Sequence, residues 1–118
     1  MILDAGVFIA LDNPAQRGVV QALIGEMIRS GEVPVTNEAV LAQVWRGPAK
    51  QVPLGALLST VSVRDFGDAK TIGRRCAVSR TSDVVDASLA VLADQLGMKV
   101  LTTDPGNMAS LGAAFVEL

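Results

Sequence analysis

Short apolar runs alternate with longer stretches of helical periodicity along the whole 118-residue chain, and that alternation leaves few folds open. Strands separated by helices pair in parallel through right-handed crossovers. The pattern predicts strands at Met1–Asp4, Val33–Val35, Val61–Val63, Lys99–Thr102 and Ala114–Glu117. Pro34 inside the second run implies a short strand or one missing donor. A helix opens at Pro14 and runs to about Ser30, with Val19/Val20, Leu23/Ile24 and Met27/Ile28 at helical spacing and Gly31 ending it. Asn37 caps a helix to Arg46, stopped by Gly47-Pro48, and a second helix covers Ala49–Leu58. Asp68–Ser79 is a basic-sided helix, and the capping cluster Thr81-Ser82-Asp83 opens Val84–Leu96, which Gly97 ends. A short helix follows over Pro105–Leu111. The expected class is α/β: a three-layer α/β/α sandwich, one domain over residues 1–118, with a parallel sheet of about five short strands.

Half of the residues are hydrophobic, enough for a chain of this length to build a core without staples. With one Trp, three Phe and no Tyr, that core must be aliphatic. The single cysteine, Cys76, excludes an internal disulfide and a cysteine zinc cluster, and points to a reducing cytoplasm. The start, Met1-Ile2-Leu3-Asp4, has no basic region or cleavage pattern, and the apolar stretch to Leu11 is too short to span a bilayer, so no targeting or membrane segment is expected. Histidine is absent, which removes Ser-His-Asp and Cys-His catalysis and imidazole metal ligands. Any hydrolysis must rely on carboxylates, water and a hard cation. A net charge of −2 supplies no global field for nucleic acid, yet leaves room for a nuclease whose metal neutralises local carboxylates.

The carboxylates are placed unevenly. In parallel sheets ligands bind beyond the carboxyl ends of the strands. Asp4 interrupts an apolar segment at the end of the first strand, where it can cap a following helix, bind a metal, or do both. Asp86 heads a stripe of small residues with Ala90, Ala93 and Gly97, a face suited to close approach by another element; dipole complementarity in the first turn is the alternative. Asp83 shares that face and reads at least equally as a cap. Asp104, after Thr102-Thr103 and before Pro105, fits a turn or cap on its own, but stands at the same sheet edge as Asp4. Carboxylates gathered without His or Cys suit Mg²⁺ or Mn²⁺.

Four segments together resemble the PIN-domain nucleases, especially the VapC-type toxins of bacterial toxin–antitoxin pairs. They are Ile2-Leu3-Asp4-Ala5-Gly6-Val7, Val40-Leu41-Ala42-Gln43-Val44-Trp45-Arg46, Ser82-Asp83-Val84-Val85-Asp86-Ala87 and Leu101-Thr102-Thr103-Asp104, spread over essentially the whole chain. The resemblance implies a strand order of 3-2-1-4-5, with the first and fourth strands side by side. It maps the metal-binding and catalytic aspartates onto Asp4, Asp86 and Asp104, with Asp83 as an additional acidic position. The family's usual glutamate is replaced here by Gln43, which weakens the negative charge of the site. Glu38 does not substitute for it: five residues away, it lies about 140° around the helix and fits a first-turn role.

The resemblance implies Mg²⁺-dependent endoribonuclease activity, with Mn²⁺ able to substitute, and water rather than a side chain as nucleophile. It also implies a small antitoxin partner and a homodimer or toxin–antitoxin hetero-oligomer. Ala22, Ile24 and Met27 are candidate interface residues, with core packing as their default explanation. Arg46, Arg74, Arg75 and Arg80 are the first candidates to hold RNA, with Lys50, Arg64 and Lys70 beside them; for Arg74 and Arg75 a solvated helix face is the competing reading. The alternative is a weak or inactive PIN-like module that binds RNA or antitoxin, for which Gln43 is the main support. A phosphatase or receiver domain on a similar scaffold is disfavoured, because Asp4-Ala5-Gly6 lacks a second nearby carboxylate and no Gly-rich phosphate loop appears.

Overall fold

A computed structural model describes residues 1–47, 49 and 51–118. In chain order its elements are β1 (Ile2–Leu3), α1 (Ala5–Ala10), α2 (Pro14–Arg29), β2 (Val35–Asn37), α3 (Glu38–Val44), α4 (Val52–Leu58), β3 (Ser62–Arg64), α5 (Ala69–Ser79), α6 (Val84–Leu96), β4 (Val100–Thr102), α7 (Pro105–Ser110) and β5 (Phe115–Glu117). The five strands form one parallel sheet in the order β3-β2-β1-β4-β5. This is the order the family resemblance implies.

Successive strand residues face opposite sides of a sheet. Every residue of β1, β2 and β4 is nevertheless buried, so both faces of the central strands are covered, as the expected three layers require. The edge strands β3 and β5 are half-buried or exposed. The core is aliphatic, built around Ile2, Leu3, Leu89, Val100 and Leu101 with Phe8 and Met108. On α2 only Val20, Ile24 and Met27 turn fully inward, while Val19 and Ile28 remain exposed. Core packing therefore explains Ile24 and Met27; Ala22 is exposed.

Polar side chains set the helix starts. Asn13, Asn37, Asp68, Asp83 and Asp104 each accept a hydrogen bond from a backbone N–H two or three residues on. Gly97 ends α6 with φ of 64°, as its composition suggests. The second strand differs from expectation. It occupies Val35–Asn37 rather than Val33–Val35, because β2 sits between two neighbours and needs donors that Pro34 lacks. The Pro34 carbonyl accepts from Ser62 N at 2.8 Å, and ladder donation begins with Val35 N on Met1 O at 2.9 Å.

The α3 helix stops at Val44 rather than Arg46, and α4 begins at Val52 rather than Ala49. Between them the buried Gln51 side chain accepts from Arg46 N at 2.6 Å and donates to Val44 O at 2.7 Å, which satisfies a backbone that has left the helix. Lys50 lies outside the described residues. Among those described, no helix is long and apolar enough to cross a membrane.

Candidate active site

The central strands end together, and their last residues are polar. Asp4 follows β1, Asn37 ends β2 and Thr102 ends β4, and all three are buried. Asn37 caps α3 through Val40 N at 3.0 Å and donates to Ser88 Oγ of α6 at 2.8 Å, which ties this edge of the sheet to α6.

Asp4 performs the capping role read from sequence: its Oδ1 accepts from Val7 N at 3.3 Å. Its Oδ2 accepts from the Thr102 hydroxyl. Thr102 Oγ in turn accepts from Asp104 N at 2.8 Å. Asp104 caps α7 by accepting from Asn107 N at 3.1 Å, and the Asn107 carboxamide donates to Asp86 Oδ2. Asp86 N donates to Asp83 Oδ1 at 3.0 Å, so Asp83 is the cap of α6. One hydrogen-bonded path thus runs from Asp4 through Thr102, Asp104, Asn107 and Asp86 to Asp83, and it links all four aspartates singled out in the sequence.

Their electrostatics differ. Burial raises the Asp4 carboxyl above the ordinary carboxylate range, opposed by its hydrogen bonds from Thr102 and from backbone N–H groups. Asp86 is pushed up to about 6, first by desolvation and then by the charges of Asp83 and Asp4, against the hydrogen bond from Asn107. Carboxylates that raise one another in this way favour a nearby cation. The donor set is oxygen throughout, which matches a hard divalent ion. Among the described residues, no three acidic or thiol side chains gather closely enough to hold an ion by themselves. An ion here would be held by one or two carboxylates and complete its shell with waters rather than sit in a closed protein cage.

Gln43 and Glu38 are both exposed on α3, and Glu38 stands in its first turn as expected. Arg46 folds back on α3, donating to Ala42 O at 3.3 Å and Trp45 O at 2.7 Å. Arg75 is engaged within the fold: Nε donates to Leu111 O at 2.8 Å and Nη1 pairs with Asp94 at 2.6 Å. Arg74 is exposed, as its solvated-face reading expects; Arg64, Lys70 and Arg80 are exposed too. Arg80 ends α5 in the left-handed region, with φ of 55°.

Two members of the hydrogen-bonded path escaped the sequence reading. Nothing local sets Thr102 apart within Leu101-Thr102-Thr103-Asp104, or Asn107 from any polar first-turn residue. Gly6 lies outside that path, but a side chain there would collide with Thr103.

No protein-family model and no curated protein matches the chain. Solved structures do. VapBC2 from Rickettsia felis, bound to a DNA fragment from its promoter, aligns with a TM-score of 0.74 at 13% identity, over 98% of this chain and 96% of that one. FitAB bound to an IR36 DNA fragment aligns at 0.69 and 19% identity, over 98% and 93%. PAE2754 from Pyrobaculum aerophilum aligns at 0.69 and 20% identity, over 98% and 81%. The fold is PIN-like. At these identities the likeness carries the PIN-like architecture, strand order included, and the chemistry must be argued from the side chains.

Proposed function

We propose that this PIN-like chain is a Mg²⁺-dependent endoribonuclease, the toxin of a toxin–antitoxin pair, acting in the cytoplasm. The observation that carries the proposal is the path joining Asp4, Asp104, Asp86 and Asp83 at the carboxyl edge of the sheet, with Asp4 and Asp83 opposing ionisation of Asp86. Asp4, Asp86 and Asp104 are the residues that would hold the ion, one or two directly and the rest through its waters, since no three acidic side chains among the described residues gather closely enough to do so alone; Mn²⁺ would substitute for Mg²⁺. The ion supplies Lewis acidity towards water and the scissile phosphate. Asp4 is held by Thr102 and the Val7 N–H, one on each oxygen, and would meet the ion through its remaining lone pairs. Asp86 and Asp104 offer one oxygen each outside the hydrogen bonds that orient them.

RNA is the proposed substrate, with the exposed Arg46, Arg74 and Arg80 as its candidate contacts; Arg75 spends Nε and Nη1 on the fold. A small antitoxin is the proposed partner, within a homodimer or a toxin–antitoxin hetero-oligomer. The two-component names FitAB and VapBC2 in the similar structures support it. Asp4→Asn should abolish metal-dependent RNA cleavage while circular dichroism and the thermal midpoint stay near wild type. Undiminished cleavage by this variant would refute the assignment.

A second reading is favoured by Gln43, exposed and uncharged where the resembling family carries glutamate, and by the lack of a three-carboxylate cluster among the described residues. On that reading the chain is a weak or inactive PIN-like module that binds RNA or antitoxin. Gln43→Glu decides between them: a large gain from a near-zero baseline favours decay, whereas robust wild-type cleavage excludes the module.

A further inference from the structure

In a capping box, a Glu or Gln three positions after the cap reaches back to the cap's own N–H. In α7 that third position is Asn107, and the reach-back does not occur. The Asp104 N–H is already taken by Thr102 Oγ at 2.8 Å. The Asn107 side chain instead donates across to Asp86 of α6. Its backbone N–H meanwhile donates to Asp104 Oδ1 at 3.1 Å. One residue thus engages two of the three proposed ligands, taking one oxygen of each.

Both supports are anchored in the core. Met108, next to Asn107, is fully buried, and Leu111 at the end of α7 is held through its carbonyl by Arg75. Asp86 is followed on α6 by Ala87, Ser88, Leu89 and Ala90, all buried. A carboxylate only accepts, so the amide must turn its N–H towards Asp86. An aspartate at position 107 would supply no donor and would add a further like charge.

We propose that Asn107 is a positioning residue for the metal site, orienting the Asp86 carboxylate so that its second oxygen faces the ion. This rests on the metal-dependent reading above. Partners that orient ligands in this way typically contribute 10- to 100-fold to metal affinity. The test is a Mn²⁺ titration followed by electron paramagnetic resonance on wild type, Asn107→Ala, Asn107→Ser, Asn107→Gln and Asp4→Asn, with thermal midpoints measured alongside. Serine keeps a polar first turn but cannot reach Asp86, and so serves if the alanine variant folds poorly. Asn107→Ala and Asn107→Ser are expected to bind Mn²⁺ about tenfold or more weakly at little-changed midpoint. Glutamine, which keeps the donor, should recover part of the affinity. Wild-type affinity in the alanine and serine variants, with binding lost in Asp4→Asn, would overturn the role of Asn107 and leave the metal site standing. A wild-type protein that binds no Mn²⁺ would overturn the metal-dependent reading and the positioning role with it.

Discussion

The Thr103 hydroxyl occupies the space where a side chain on Gly6 would begin: a Cβ there would stand 1.8 Å from Thr103 Oγ1 and 2.9 Å from Thr103 Cβ. The contact locks the first turn of α1, which Asp4 caps, against the connection from β4 to Asp104. Rotating Thr103 would relieve the first clash but not the second. Gly6→Ala must therefore shift backbone at the candidate site. We expect a loss of about 1–3 kcal/mol in urea unfolding, the usual cost of overpacking. An unfolding curve that matches wild type would show that the approach is looser than described.

The pH dependence of stability should run against the common acid-labile pattern. Asp86 is pushed up to about 6 in the folded chain from the ordinary aspartate value of 3.8, and Asp4 is raised as well. A raised folded value means that the folded chain binds more protons than the unfolded one. In metal-free buffer the penalty is therefore fully present above about pH 6, shrinks as pH falls through that value, and is gone near 3.8. Asp68, lowered mainly by its hydrogen bonds from Thr71, acts in the opposite sense, but only below the ordinary aspartate value. The thermal midpoint in EDTA should climb from about pH 7.5 to about pH 5. Mg²⁺ should raise it at the higher pH, and Asp86→Asn should flatten the climb. A midpoint that falls steadily over this range would contradict the assignment.

Two arginines of α5 should separate stability from binding. Arg75→Ala breaks the bonds to Leu111 O and Asp94 and should cost about 1–2 kcal/mol, since the Asp94 partner is exposed enough to add little. Arg80→Gly removes a left-handed non-glycine residue and should gain about 0.5–1 kcal/mol. If the Arg80 guanidinium grips an RNA phosphate, the same change weakens RNA binding and lowers the salt slope by about one. A gain in stability with an unaltered slope would remove Arg80 from the RNA contacts.

The boundaries read from sequence were best where a local signal was strong. The α6 span Val84–Leu96 followed from an apolar helical pattern between a capping cluster and Gly97, both immediate neighbours of the helix. The second strand was misplaced by two residues because the apolar pattern of Val33-Pro34-Val35 does not say which strand edges must be paired. That requirement appears only once β2 is seen between β1 and β3. Arg75 looked like its neighbour Arg74 for a similar reason: its partners, Leu111 and Asp94, lie far along the chain.

Interactions that span two or three residues were written into the sequence itself. The caps at Asp4, Asp83 and Asp104 bond to N–H groups three positions on, and periodicity announced the helices that follow. The contacts that could make these caps a site belong to tertiary structure alone. Thr102 meets Asp4 across 98 residues, and Asn107 meets Asp86 across 21. Both depend on β1 lying beside β4 and on α7 packing near α6, arrangements set by burying two faces of the central strands at once rather than by any local preference.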